Sequence, residues 1–211
     1  ELLEKDTQSA LEVFPTHPTF YFFNGIANIQ LKNYDKAIES LLAGKEMVFD
    51  NAQLQAEFYQ YLGDAYHAKK EHVKSDESYD RSLEFNRYNP YVLNNYSYYL
   101  SQRKEKLALA ETMAKEANNQ VPDSPNFIDT YGWVLFLKGN FQEAEVLLKK
   151  AISLSASPNG TILEHFGDVL FKLNKIEEAI ISWQKAKETG GASQLIEEKI
   201  LKKYYIEPTI E

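Results

Sequence analysis

The chain has 211 residues, a formal net charge of −8 at pH 7 and no cysteine. The acidic balance argues against nucleic-acid binding, which needs clustered Lys and Arg, and the lack of Cys excludes disulfides, Cys-based zinc sites and a Cys nucleophile. Hydrophobic residues make up 44% of the chain, enough for a long core. No run approaches the roughly 18 apolar residues of a membrane-spanning helix, so we expect no direct membrane insertion by this segment.

The first predicted element is a helix over residues 1–14, which Pro15 ends. Its apolar residues recur at helical spacing, and Ala10 and Pro15 occupy places that Ala151 and Ala156 occupy in a later segment. We therefore interpret it as the second helix of a repeat whose first helix is absent. Because the chain also begins without Met, we expect a fragment of a longer protein.

After this helix a pattern recurs five times with a period of about 34 to 38 residues. Each copy has a small residue in a first apolar segment, at Gly25, Gly63, Ser97, Gly132 and Gly167. About twelve positions later another small residue follows, at Ala37, Ser75, Ala110, Ala144 and Ala179. A period of this length is typical of stacked helical hairpins.

The segment 126–155 shows one unit most clearly. Apolar residues recur at helical spacing up to Lys138, the pair Gly139-Asn140 breaks the pattern, and a second apolar stripe begins at Phe141. Two such stripes joined by a tight turn predict an antiparallel helix pair. Gly132 and Ala144 are small so that the two helices can approach closely.

These residues resemble the tetratricopeptide repeat, whose pattern is W-x₂-L-G-x₂-Y followed by A, F, A and P at fixed offsets. The copies read Tyr59-x₂-Leu62-Gly63-x₂-Tyr66, Ile128-x₂-Tyr131-Gly132-x₂-Leu135 and Leu163-x₂-Phe166-Gly167-x₂-Leu170. The first repeat departs from the pattern with Asn24 and Asn28 at apolar positions, and the third has Ser97 in place of Gly. The resemblance implies an all-α fold: a right-handed superhelix of stacked antiparallel helix pairs, or TPR-type α-solenoid, with about five repeats, a preceding half-repeat and a C-terminal capping helix.

We expect one array over residues 1–211, with these divisions: 1–15 for the half-repeat; 18–51, 56–89, 90–124, 125–158 and 160–191 for the five repeats; and 192–206 for the capping helix. The predicted cap is a helix over Ser193–Tyr205 with one apolar side and one charged side. Such a helix would cover the apolar face of the last repeat.

The search for chemistry finds no catalytic, cofactor-binding or metal-binding pattern. His165 with Asp168 is an i,i+3 pair that lacks a third metal ligand. Glu164 and Asp168 are paired carboxylates, but a repeat groove open to water would keep their pKa values ordinary. We therefore expect no enzyme and no cofactor.

The resemblance implies that the first helix of each pair lines a concave groove for a protein or peptide partner. The matching residues predict this partner-binding set: Phe22, Phe23, Tyr61, Asp64, Asn94, Asn95, Tyr98, Asp129, Trp133, Phe136, Glu164, Asp168 and Phe171. If the aromatic rings are exposed they are anchors for the partner, although neighbouring helices could cover some of them.

The charges of the groove indicate the chemistry of the partner. Five carboxylates, of Glu57, Asp64, Asp129, Glu164 and Asp168, face it against one basic residue, Lys172. We therefore expect a partner segment with basic and apolar side chains. A known subgroup of the family grips a partner's C-terminal carboxylate with Lys, Arg and Asn; Lys and Arg are missing at those positions here, so this mode is not expected. Asn94 and Asn95 are suited to bonding the backbone of an extended peptide.

Two functions stay open. The first is a non-catalytic protein-interaction scaffold that binds a partner peptide or helix in the groove. The second is a structural spacer or self-assembly module of a larger envelope protein, in which case the chain could be a homo-oligomer. The Lys-, Asn- and Tyr-rich composition resembles C-terminal arrays of bacterial proteins of this family. By analogy we expect the bacterial cell envelope, on the periplasmic face, with the cytoplasm as the other location.

Overall fold

The computed structural model describes residues 1–207, and the regular elements within that range are all α-helices. Their bounds are α1 Leu2–Val13, α2 Pro18–Gln30, α3 Tyr34–Lys45, α4 Ala52–Ala68, α5 His72–Phe85, α6 Pro90–Gln102, α7 Leu107–Gln120, α8 Pro125–Leu137, α9 Phe141–Leu154, α10 Gly160–Lys172, α11 Ile176–Thr189 and α12 Ile196–Lys202. The all-α helical-repeat fold expected from the sequence is confirmed. Among these twelve helices, none combines the length and the apolar character that crossing a membrane requires.

The chain divides into two compact units. Unit 1 covers Glu1–Val92 and unit 2 covers Leu93–Glu211. In unit 1, α2 pairs with α3 and α4 pairs with α5, while α1 packs on α2 and α3 packs on α4. In unit 2, α8 pairs with α9 and α10 pairs with α11, while α7 packs on α8, α9 on α10 and α12 on α11.

The turns inside four helix pairs, α2–α3, α4–α5, α8–α9 and α10–α11, share one geometry. After the first helix the chain places a single residue at positive φ, and the next amide N–H donates to a carbonyl five residues back, as in Asn140 N to Leu135 O at 2.9 Å. Gly139 suits this left-handed conformation, but Lys32, Lys70 and Asn174 adopt it as well. This is the Schellman arrangement, which satisfies the last carbonyls of a helix.

The repeated glycines allow a bulky side chain of the second helix to lie directly on the first helix. The residue sixteen positions after each glycine fills the place where a Cβ would be: Leu41 on Gly25, Tyr79 on Gly63, Leu148 on Gly132 and Trp183 on Gly167. A Cβ on Gly167 would lie 2.4 Å from Trp183 Cδ1, and Trp183 is fully buried. The glycines therefore accommodate a bulky side chain of the second helix together with its small residue, as at Gly167, where a Cβ would lie 3.1 Å from Ala179 O.

The two asparagines that depart from the repeat pattern form a buried network in unit 1. Asn24 Nδ2 donates to Thr7 Oγ1 at 3.0 Å, and Ser40 Oγ donates to Asn24 Oδ1 at 2.7 Å. Asn28 Nδ2 donates to Asn24 Oδ1 at 3.0 Å. The network ties α1 and α3 to α2, and its bonds compensate for the burial of the amides.

Candidate functional site

The predicted groove residues of unit 1 form an aromatic cluster on α2 and α4, here called the unit 1 face: Phe22, Phe23, Tyr61 and Asp64. The Phe22 ring lies 5.6 Å from that of Phe23 and 5.3 Å from that of Tyr61, centroid to centroid. Phe22 is buried, whereas Phe23 is 43% exposed. Burial, with the charges of Asp64 and Glu57, raises the pKa of Tyr61. This face therefore presents one exposed ring, that of Phe23, and two carboxylates that lie near Tyr61.

The predicted groove residues on α6 are buried or half-buried. Asn94 is buried, and its Nδ2 donates to Asn95 Oδ1 at 3.3 Å. Within the described residues, Asn94 Oδ1 has no hydrogen-bond partner. Tyr98 is half-buried, and burial followed by the charge of Asp129 raises its pKa. Asn94 thus keeps a buried acceptor available, as a residue that bonds a peptide backbone would.

Six predicted residues come together on α8 and α10, and we call this set the unit 2 face: Asp129, Trp133, Phe136, Glu164, Asp168 and Phe171. On α8, the Trp133 ring stacks on Phe136 at 4.8 Å and on His165 of α10 at 4.0 Å. Asp129 Oδ1 lies 2.9 Å from His165 Nδ1. Burial lowers the pKa of His165, but the carboxylates of Asp129, Asp168 and Glu164 outweigh burial and raise it above its ordinary value.

The other half of the unit 2 face is a buried ion cluster. Lys199 of α12 places Nζ 2.7 Å from Glu164 Oε1, and 2.8 Å and 2.7 Å from the two carboxylate oxygens of Asp168. Trp183 Nε1 donates to Asp168 Oδ1 at 2.9 Å. Ser193 donates to Glu164 twice, from N and from Oγ, each at 2.6 Å. The chain itself thus supplies hydrogen-bond donors to both buried carboxylates.

Burial of this cluster corrects the expectation of a water-filled groove with ordinary carboxylates. Asp168 is 1% exposed, Glu164 5% and Lys199 1%. Burial raises the pKa of Asp168 to about 6, although Lys199 opposes the rise. Burial also acts to raise the pKa of Glu164, but Lys199 and Ser193 together lower it. The expected ratio of five carboxylates to one Lys172 is also wrong in unit 2, because Lys199 enters the face.

The chain beyond α12 covers the aromatic part of the same face. Lys203 has φ of 51° and ends α12 earlier than the helix expected over Ser193–Tyr205. The Tyr204 ring then lies 5.0 Å from Phe171, and the buried Tyr205 ring lies 5.7 Å from Phe136. Lys172 Nζ lies 4.4 Å from the centre of the Tyr205 ring. Phe136 under this segment is only 4% exposed, and Trp133, which stacks on Phe136 and His165, is 6% exposed.

Sequence reasoning missed Lys199, Tyr205 and the placement of His165 between Asp129 and Trp133. A signal for the first two was present, since residues 199–205 read Lys-Ile-Leu-Lys-Lys-Tyr-Tyr. That composition is the one expected of a partner segment, with basic and apolar side chains. In the folded chain, the unit 2 face contacts the ammonium group of Lys199 and the rings of Tyr204 and Tyr205. In residues 1–207 no group of three or more His, Asp and Glu side chains could hold a metal ion.

Comparison with known proteins agrees with the repeat architecture. Residues 129–158, which contain α8 and α9, match the family model described as the tetratricopeptide repeat. No curated protein matches the chain.

Solved structures share the fold. PilF of Pseudomonas aeruginosa is similar with a TM-score of 0.72 and 21% identity, over 88% of this chain and 83% of that chain. YrrB, a TPR protein with an unusual peptide-binding site, is similar with a TM-score of 0.67 and 14% identity, over 91% and 96% of the two chains. A chain of the APC/C hetero-tetramer Cut9–Hcn1 gives a TM-score of 0.81 and 15% identity, over 96% of this chain and 39% of that chain.

Proposed function

We propose that this chain, whose residues 129–158 match the tetratricopeptide repeat, is a non-catalytic interaction scaffold whose first helices bind partner segments with basic and aromatic side chains. One observation carries the proposal: the unit 2 face binds a segment of that chemistry from its own chain. Lys199 meets Glu164 and Asp168, and Tyr205 meets Phe136. The side chains in this face therefore suit such a ligand.

The unit 1 face is the surface on which we expect a partner to bind. It has the same kinds of side chains as the unit 2 face, an aromatic cluster beside carboxylates. Phe23 is 43% exposed there, and an exposed ring gains contact area at little entropic cost when a partner covers it. The carboxylates of Glu57 and Asp64 would favour Lys or Arg in the partner.

The test is a selection of random dodecapeptides on the full chain, followed by titration of the selected peptides. We expect enrichment of peptides that combine Lys or Arg with Tyr, Trp or Phe. Phe23→Ala should weaken their binding about 10-fold or more, as for a ring at an interface hot spot, and Tyr61→Ala should weaken it too. Added salt should also weaken it, because charge pairs at a surface are screened.

Val73→Ala is the matched control for Phe23→Ala. Val73 is 72% exposed but lies on α5, a second helix, so its loss should leave the affinity unchanged. Equal affinities for Phe23→Ala and Val73→Ala, or a selection dominated by acidic peptides, would refute the proposal.

A second candidate is self-assembly, which the exposed apolar side chains of the α1 region favour: Leu2, Leu3, Val13 and Phe14 are 43–75% exposed. If this surface joins copies of the chain, the mass in sedimentation should rise with concentration, and Val13→Glu should prevent the rise. Val146→Glu is the control, since Val146 is 69% exposed on α9. A mass that is constant over the concentration range would exclude this candidate.

A further inference from the structure

We propose that the C-terminal segment, residues 199–207, is an intramolecular ligand of the unit 2 face, which binds a Lys-and-Tyr partner segment only after that segment leaves. This inference rests on the proposed function and extends it to a second, gated site. The occupant is defined by its chemistry: an ammonium group followed six residues later by an aromatic ring, as in Lys199 and Tyr205.

The segment runs across the unit 2 face as a bound peptide would, and it does not form another helix pair. Lys199 meets α10 through Glu164 and Asp168. The backbone then turns at Lys203, and Tyr205 reaches Phe136 of α8. Glu207, the last described residue, forms an ion pair with Lys104 in the turn before α7. The segment thus crosses the first helices one after another.

The contacts fall on the residues that the repeat pattern marks for partner binding. Phe136, Glu164, Asp168 and Phe171 were each selected from sequence register alone, and each now touches the C-terminal segment. A partner segment of the same chemistry cannot use these atoms while Lys199 and the two tyrosines occupy them. Occupation in cis and binding in trans are therefore mutually exclusive at this face.

Side-chain contacts hold the segment on unit 2, among them Ile200 against the core of α10 and α11, and its release requires only these contacts to break, not the unfolding of α8 to α11. α12 has only seven residues, too few for a helix that is stable by itself. Lys199 and Tyr205 are buried, but Leu201 and Tyr204 are 82% and 62% exposed. A buried ion cluster adds little net stability over the solvated ions. Tethering nonetheless gives the segment an effective concentration of the order of mM, which a free competitor must overcome.

The experiment uses the full chain and a labelled synthetic peptide with the sequence of residues 194–207. We expect weak binding to the wild type, because its face is occupied. Tyr205→Ala should bind the peptide at least about 10-fold more tightly, since the tethered competitor has lost its aromatic anchor. Adding Asp168→Asn to Tyr205→Ala should remove that gain, because the peptide's Lys then loses its charged acceptor. Leu201→Ala, on the exposed side of α12, should behave like the wild type.

Hydrogen exchange on the same variants distinguishes release of the C-terminal segment from unfolding of α8 to α11. In Tyr205→Ala, amides of residues 196–207 should lose protection while those of α8 to α11 keep it. Loss of protection throughout α8 to α11 would show that the segment is a structural cap and would overturn the proposal. An opened segment without tighter peptide binding would overturn it too. Neither result bears on the Phe23→Ala test, which concerns unit 1, so the two proposals fail separately.

Discussion

Replacing Lys199 with Met tests whether the ion cluster on the unit 2 face is dry. Lys199 Nζ makes three short contacts to Glu164 and Asp168, and all three side chains are at most 6% exposed. Met keeps the length and the packing of the stem but removes the ammonium. Two buried carboxylates would then lack their counter-ion, which costs about 3–5 kcal/mol when one partner of a buried pair is removed.

The fold sets an upper limit on the loss in the free energy of unfolding of Lys199→Met. α12 and the residues after it can leave the face, and water then reaches both carboxylates. The measured loss in the free energy of unfolding cannot exceed the free energy with which the segment docks. If the loss equals the docking free energy of the segment, residues 196–207 of Lys199→Met should exchange their amide hydrogens freely.

Urea unfolding followed by tryptophan emission is a suitable assay, because the two tryptophans of the chain, Trp133 and Trp183, both lie at this cluster. The control is Lys202→Met, since the Lys202 side chain is 59% exposed. Its loss should cost roughly 0.5 kcal/mol or less, as for a surface ion pair.

A double variant isolates the interaction between the two charges. Adding Asp168→Asn to Lys199→Met should recover part of the loss, because the amide has no charge to desolvate; pairs in contact couple by about 0.5–3 kcal/mol. If Lys199→Met instead unfolds within about 0.5 kcal/mol of the wild type and keeps its segment protected, the cluster is solvated and this reasoning is wrong.

Two further predictions concern packing and pH. Gly167→Ala should lower the free energy of unfolding by about 1–3 kcal/mol, since its Cβ would overlap the buried Trp183 ring. Gly132→Ala should cost less, because its nearest contact is a leucine at 3.0 Å and Ala favours the helix by about 1 kcal/mol; equal losses in urea melts would contradict this. Raising the pH should destabilise unit 2 in two windows, from 3.8 to about 6 through Asp168 and above 6.5 through His165, by up to about 1.4 kcal/mol per pH unit in each. The sign follows because the folded-state pKa values of His165 and Asp168 are both raised, the latter to about 6, so their stabilising protons are lost as the pH passes them. Thermal melts of the wild type and of His165→Gln over both pH windows check it. If the stability of His165→Gln still falls in the upper window, His165 is not the cause of that fall.

The helix pairs could be predicted from the sequence because their determinants are local. Apolar stripes, Pro at helix starts and the recurring glycine each act within one helix or one turn. The turns themselves were harder to predict, because Lys32 and Lys70 adopt a left-handed conformation that their residue type does not indicate. At these two turns the backbone conformation is determined by the hydrogen bond that ends the first helix of the pair, and not by the preference of the residue type.

Positions that break the pattern needed the structure for their explanation. Asn24 looked out of place among apolar residues, yet Thr7 and Ser40 of two other helices satisfy its amide. A buried amide is tolerated only where such partners exist. Those partners come from different helices, so only their packing shows that they meet.

The sequence alone determined that first and second helices alternate, and which side chains of the first helices share a face, because helical periodicity places them there whatever lies beyond. The tertiary structure alone decided what covers that face in unit 2. Lys199 lies inside the seven-residue helix α12, which follows two glycines at positive φ, and it meets Asp168 across 31 positions of chain. A lysine on a charged helix stripe is ordinarily solvated. It is buried here because two carboxylates on α10 compensate for its desolvation, and that pairing exists only once the chain has folded back.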